Sequence, residues 1–416
     1  MSTLALLGGE PVRTRPWPAW PDVREEDVEA IAAAVRSGKW WQYEGDHVLS
    51  FEQEFAAYHD AAYGAAVNSG TTALQIALEA LEIGPGDEVI IPAYTFQGTA
   101  AAVLSANAVP VFADVEPETM NMDPDSAAGL ITGRTRALMP VHIAGLPAAM
   151  DRLGALAESK GLLLIEDAAQ AHGAVWRGRK VGAIGRVGGF SFQASKNLPA
   201  GEGGIVLTND ERCYARAAGL RDCGRAAGRP FYEHHLLGSN FRLTEFQASL
   251  LRSRLRHLED ETELRYRNGR RLTERLSQLP GIDPLDPKPR AGDRRAYHLY
   301  PFRVDPAALG GLTREPFMEA LSAEGIPCVA GYGRPLYRNP VFLEHSFKPK
   351  GCPVSCAHYT GEVDYAAVSC PAAERLCAEV IWLSQNLLLG RDEDIADIVR
   401  AIEKVVADRR ELVSPP

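Results

Sequence analysis

Lys196 stands in a segment, Gly189 to Gly204, that also carries Ser191, Gln193 and the glycines Gly201, Gly203 and Gly204. A lysine beside an apolar or cationic pocket loses its proton more easily and becomes a nucleophile able to form a Schiff base with an aldehyde. The glycines would let another backbone or a ligand come close. A second loop follows the apolar run Leu162 to Ile165 and holds Glu166, Asp167, Gln170 and His172. A carboxylate at the carboxyl end of a buried strand is costly unless paired. Asp167 therefore either meets a cation or protonated ring nitrogen, or caps the following turn. Glu166 and His172 are either a general acid–base pair or structural hydrogen-bonding groups. A third loop, Asn68 to Leu74, sets Ser69, Gly70, Thr71 and Thr72 at the start of a helical pattern. N–H groups there either cradle a phosphate or are capped by the neighbouring hydroxyls.

These loops need elements to hold them. Apolar runs at Ala65 to Val67, Glu88 to Ile91, Val109 to Phe112, Ala137 to Val141, Leu162 to Ile165, Gly188 to Phe192 and Gly204 to Thr208 alternate with helical patterns. The alternation predicts βαβ units in a mostly parallel central sheet flanked by helices, an α/β fold with its ligand at the strand carboxyl ends. Leu243 to Leu279 has no proline, and its leucines recur among Arg and Glu, which predicts a long amphipathic helix bridging two domains. The expected division is a large domain over residues 1–260, including an N-terminal lid segment, and a smaller C-terminal α+β domain over 261–416. In the latter, Leu299 to Val304 reads as a strand, Glu374 to Leu383 and Asp394 to Val406 read as helices, and Ser414 to Pro416 reads as a frayed tail.

Composition narrows the function. With 46% hydrophobic and 24% charged residues, the 416-residue chain has a globular make-up. Its 54 acidic against 44 basic residues leave a net charge of −10, which offers no general attraction to nucleic acid or anionic lipid. The first residues lack the apolar core of a signal peptide, so a cytoplasmic protein is expected. Val89 to Ala113 carries no charge, yet Pro92, Gln97, Gly98, Asn107 and Pro110 divide it into strand, helix and strand rather than a membrane span. Seven cysteines without an export signal predict reduced thiols. Cys352, Cys356 and His358 lack the second paired half of a structural zinc site, so no metal is expected.

Five motifs follow in order: Gly70-Thr71, Phe96 within Pro92 to Thr99, the turn Asp167 to Gln170, Ser191 with Lys196 and Gly201 to Gly204, and Gly238 to Arg242. This set resembles the DegT/DnrJ/EryC1/StrS family of pyridoxal-phosphate (PLP) aminotransferases across essentially the whole chain. The resemblance implies a fold-type I PLP-transferase architecture, with Lys196 as the lysine that joins the cofactor and shuttles the proton. It implies Asp167 against the pyridinium nitrogen, Gln170 at the phenolic oxygen and Phe96 stacked on the ring. Gly70, Thr71 and Ser191 match the family's phosphate cradle. Asn240 matches a residue that reaches the phosphate of the neighbouring subunit's cofactor, which implies a homodimer with shared active sites. The implied reaction is a ping-pong exchange through pyridoxamine phosphate, with L-glutamine or L-glutamate as amino donor.

Gly38 to Glu52, Met139 to Leu146 and Ser239 to Phe246 look most like the inosose aminotransferases of aminocyclitol biosynthesis and 3-amino-5-hydroxybenzoate (AHBA) synthase. Both act on small cyclic polyol ketones, so a keto-cyclitol such as an inosose is the expected acceptor. Nucleotide-sugar members of the family usually carry Pro-Leu-His where this chain has Pro335, Leu336 and Tyr337. That difference weighs against a nucleotide-diphosphate keto-sugar without removing it. An AHBA synthase-like PLP dehydratase keeps the lysine and stays open. Trp41 and Tyr43, with Trp40, either line an acceptor pocket against sugar-like C–H faces or pack as a lid. Arg242 and His298 are further candidate donor or acceptor contacts.

Overall fold

The computed structural model describes residues 3–413. Its strands are β1 (Tyr63–Val67), β2 (Glu88–Pro92), β3 (Val109–Ala113), β4 (Thr135–Leu138), β5 (Leu163–Asp167), β6 (Val175–Trp176), β7 (Arg179–Lys180), β8 (Val187–Ser191) and β9 (Gly204–Thr208), then β10 (Ile282–Pro284), β11 (Leu299–Val304), β12 (Val329–Ala330) and β13 (Val380–Ser384). Seven of them form the central sheet in the order β1-β9-β8-β5-β4-β2-β3. Within it β9 alone runs against its neighbours. Strands β2, β8 and β9 are buried along their whole length, as strands covered by helices on both faces must be, which is why they read as continuous apolar runs. Each of the seven expected runs is a strand. The uncharged stretch from Val89 is β2, the helix Gln97–Ser105 and β3, and no helix among the described residues is long and apolar enough to cross a membrane.

The helix Glu245–Leu276 starts with a capping box between Thr244 and Gln247. Its first half packs Leu251 and Leu258 with Phe51 and Phe55, and its second half packs Leu272 and Leu276 with Phe302 and Phe317 of the C-terminal part. One 32-residue helix therefore runs through the expected boundary at 260 and ties the two cores together. Behind it lies a four-stranded antiparallel sheet, β10-β11-β13-β12.

Three segments sit differently from the sequence reading. Residues 380–383, which read as the end of a helix, belong to β13 at the centre of the small sheet. The helix Pro371–Glu379 stops where Val380, Ile381 and Trp382 begin, bulky residues that fit a pleated surface flanked by β11 and β12. The N-terminal stretch lies against the C-terminal part: Leu4 is buried in that core, and Arg13 donates to Asp394 at 2.6 Å and Asp397 at 2.8 Å. Residues from Leu336 to Tyr365 return to the central sheet, where Phe342 and Tyr365 pack on Phe112. The expected tail Ser414 to Pro416 lies outside the described residues.

Candidate active site

The carboxyl ends of β5 and β8 meet the start of the helix Gly70–Ala80. Strand register sets Asp167, the last residue of β5, opposite Gly189 of β8. Asp167 is buried and accepts from Thr99 Oγ1 at 2.7 Å and from the Ala169 N–H at 3.2 Å. Burial raises its carboxyl above the usual range, and those two donors, with Lys196, oppose the rise without cancelling it. Two residues past β8, the Gln193 carbonyl accepts from the Lys196 N–H at 2.9 Å, and the Gly201 carbonyl from the Ala194 N–H at the same distance. Asn197 Nδ2 donates to the Ala296 carbonyl at 2.9 Å, which ties this turn to the segment carrying His298. The Lys196 side chain is half-buried; burial lowers its ammonium to about 8, with Asp167 pulling the other way.

Gly70 opens its helix, and a Cβ there would stand 2.5 Å from Ser191 Cβ. A Cβ on Gly204 would stand 2.4 Å from the Ser69 carbonyl oxygen. Only glycine allows the helix start to lie this close to β8 and β9. Ser69 Oγ accepts from the Thr72 N–H at 3.1 Å, so the cap reading holds for Ser69. The N–H groups of Gly70 and Thr71 still have no helical carbonyl to bond and point out of the first turn. Phe96 precedes the helix Gln97–Ser105, is 63% exposed, and shares the space over Gly98 with Thr71.

Gln170 is held in one orientation. Its Oε1 accepts from the Ala144 N–H at 2.7 Å, and its Nε2 donates to Tyr332 Oη at 3.3 Å. One amide hydrogen is left over. His298 is buried with its Nδ1 unpartnered; burial, then Lys196, His172 and Arg265, hold its imidazolium well below the ordinary range. His172 lies among Phe55, Phe190 and Phe192 and is likewise held neutral by burial, with His59 and Lys196 adding. Glu166 does not pair with it. Its carboxylate accepts from His142 Nε2 at 3.0 Å and from the N–H groups of Gly182, Ile184 and Gly185 at 2.7 to 2.8 Å, a structural role.

Asp167, Lys196, Gln170, Ser191, Gly70, Thr71 and His298 thus share one region. Trp41, Tyr43, Arg242 and Asn240 gather around Asp222, and the backbone of Phe241 and Arg242 pairs with Asn68 and Val67 at the end of β1. Tyr43 Oη and Arg242 Nη1 both donate to the Asp222 carboxylate, Trp41 and Tyr43 meet at 4.8 Å, and exposed Asn240 pairs its backbone with Asp222. Phe231 completes that cluster, 5.3 Å from Tyr43. Thr99 and Tyr332 reach site residues from distant segments, and nothing local in the sequence marks either as a partner. Where Pro-Leu-His would place a histidine, Tyr337 Oη donates to Glu374 at 2.6 Å and accepts from the Cys370 N–H at 2.9 Å. Among the described residues, the one group with three potential ligand atoms within 4.8 Å is Asp46, His47 and Glu245. There Glu245 accepts from the His47 and Val48 N–H groups.

Residues 21–364 match the DegT/DnrJ/EryC1/StrS aminotransferase family. 3-Amino-5-hydroxybenzoate synthase of Amycolatopsis mediterranei (strain S699) is 37% identical over 397 residues, 94% of this chain and 97% of that one. L-Glutamine:2-deoxy-scyllo-inosose aminotransferase of Streptoalloteichus tenebrarius is 38% identical over 424 residues, 98% of this chain and 99% of that one. A crystal structure of AHBA synthase matches with a TM-score of 0.85 at 36% identity, covering 95% of this chain and all of that one (100%). The chain belongs to the DegT/DnrJ/EryC1/StrS aminotransferase family, whose members are PLP-dependent enzymes. The residues present suit that cofactor: a buried carboxylate with few donors, a half-buried amine, a glycine-tight helix start and an amide with one free hydrogen.

Proposed function

We propose that the protein moves an amino group from L-glutamine or L-glutamate to the ketone of a small cyclic polyol, a keto-cyclitol of the inosose kind. The observation that carries the reading is the placement of Asp167 at the end of β5 beside β8, the strand that leads to Lys196, with the start of the helix Gly70–Ala80 packed against Ser191, within a chain 38% identical to a glutamine:inosose aminotransferase over 98% of its length. Bound PLP supplies an aldehyde for the amine and a ring that accepts the electrons of a broken C–H bond. Lys196 Nζ, with its proton affinity lowered to about 8, takes and returns the proton at the substrate carbon. Asp167 Oδ would hold a proton on the ring nitrogen, Gln170 Nε2 would donate to the phenolic oxygen, and the first-turn N–H groups with Thr71 and Ser191 would hold the phosphate. Phe96 would cover one ring face and exclude water.

Asn240, with the exposed Trp40, Trp41, Tyr43 and Phe231 nearby, supports a homodimer in which one copy completes the other's site. Trp41, Tyr43 and Arg242 then face the acceptor across that interface rather than within one chain. AHBA synthase-like dehydration is the second reading, favoured by the 37% identity to that enzyme.

The test is the visible absorbance of the PLP-loaded protein. L-Glutamine should bleach the band and an inosose should restore it with formation of an amino-cyclitol. Recovery with a keto-sugar nucleotide alone would replace the acceptor, an aromatic product would favour the dehydratase, and a band unmoved by any amino donor would end the aminotransferase reading.

A further inference from the structure

A cavity of about 380 Å³ is lined by Leu146 and Pro147, close in sequence to Ala144, whose N–H holds Gln170. None of the cofactor-site residues named above lines it. Its lining holds seven cations, Arg or Lys, against four carboxylates; two of the cations also pair outside it, Arg294 with Glu259 and Glu263 and Arg152 with Asp125. The carboxylates are already engaged. Glu116 takes Arg152 at 3.2 Å, Asp151 takes Arg177 and the Trp176 indole N–H, and Asp293 takes the Arg177 backbone N–H at 2.8 Å.

The fourth, Asp286, is shared by two guanidinium groups, Arg270 at 2.8 Å and Arg295 at 3.2 Å, and also accepts from Thr273 and Tyr297. Two cations on one buried carboxylate leave a positive charge at the cavity wall, in surroundings where charge is poorly screened. Arg295 is 3% exposed and its Nη2 has no partner. Lys288 and Arg290, also in the lining, are exposed and enter no ion pair among the described residues. Arg290 instead stands 5.7 Å from the Trp176 ring centroid, with Arg177 at 5.8 Å. Trp176 and Tyr266 supply flat apolar walls. Arginine forks match carboxylate geometry, and aromatic faces match a flat ring. The volume lies within the range of small-molecule sites.

We propose that this cavity binds a small planar anion, an aromatic carboxylate in chemical class, at a site separate from Lys196. The wall it would press on is joined to the cofactor site: Arg295 Nε donates to the Ala144 carbonyl at 3.4 Å, and the Ala144 N–H fixes Gln170.

Calorimetric titration of the holoenzyme with benzoate, benzamide and inorganic phosphate tests this. Benzoate should bind once per chain, and the uncharged benzamide about tenfold more weakly or not at all. The double variant Lys288→Ala/Arg290→Ala should weaken benzoate about tenfold, and Trp176→Ala about fivefold, with the visible cofactor band unchanged in both. These side chains lie at the rim, so the fold survives their loss; an intact band checks it. The proposal is overturned if benzamide binds as well as benzoate, if neither variant weakens binding, or if no heat appears up to about 10 mM benzoate. Phosphate binding without benzoate binding overturns the planar part. Displacement of benzoate by saturating L-glutamine would move it to the Lys196 site and overturn the separate one.

Discussion

Glu166 and Asp167 are neighbours on β5, both buried, on opposite faces of the strand, and their surroundings differ. Glu166 receives His142 and three backbone N–H groups. Burial alone would raise its carboxyl; His142 and the N–H groups of Gly182 and Gly185 more than offset that and hold it below the usual range. Asp167 receives one hydroxyl and one N–H, and burial wins. A carboxylate satisfied by its own chain is a structural anchor. One left short of donors at a strand's carboxyl end is where the proposed cofactor would bring its protonated ring nitrogen.

The contrast breaks most visibly at Lys196, the cation nearest to Asp167's needs. Lys196→Ala should fold, bind PLP without a covalent link and lose turnover by about 10³-fold or more, read by steady-state kinetics and the visible band. In the unsubstituted protein, uptake of PLP by the cofactor-free form should accelerate with pH through about 8 rather than the 10.5 of an ordinary lysine. Stopped-flow absorbance would show an inflection near the higher value if the amine were not activated.

Asp167→Asn comes next, with turnover lower by about 10²- to 10³-fold, the loss of one partner of a buried charge pair. Its effect on stability should have the opposite sign. Because the folded state raises the Asp167 carboxyl, the folded protein holds a proton that the unfolded chain releases above 3.8, and stability falls as pH rises through that window. The cofactor-free Asn variant should therefore match the parent in acid and exceed it at neutral pH in urea unfolding.

Glu166→Gln should cost about 3 kcal/mol of stability at neutral pH and leave the cofactor band in place. A carboxyl lowered in the folded state stabilises above its unfolded value near 4.5 and loses that contribution as pH falls, so the deficit should shrink in acid. If Glu166→Gln spared stability but removed turnover, the roles assigned to the two carboxylates would be reversed. The smallest effect is expected of Tyr332→Phe, which frees Gln170 Nε2 from its one chain partner. It should lower turnover less than about tenfold and shift the pH titration of the visible band, whereas a change in stability alone would assign Tyr332 to packing.

Much of this arrangement could be read along the chain. The seven central strands, the strand–helix–strand reading of Val89 to Ala113 and the long helix follow from apolar periodicity and breakers, which act within a few residues. The residues that meet at β5 and β8 were also marked, because strand ends carrying polar loops are where a buried sheet meets solvent. Segment 380–383 was misread because a short apolar run after a helix suits either state until its neighbours β11 and β12 are known.

The sequence by itself determined the alternating α/β plan and marked Lys196, Asp167 and the Gly70 turn as candidates, since periodicity, chain geometry and side-chain chemistry are local properties. Only the tertiary structure decided which of two adjacent carboxylates is satisfied, that Thr99 reaches Asp167 from 68 residues away, and that Tyr332 reaches Gln170 from 162 away. It also gathered Trp41, Tyr43 and Arg242 around Asp222. Charge balance inside a protein is a property of pairs, and the partners here are far apart in sequence and joined only by packing.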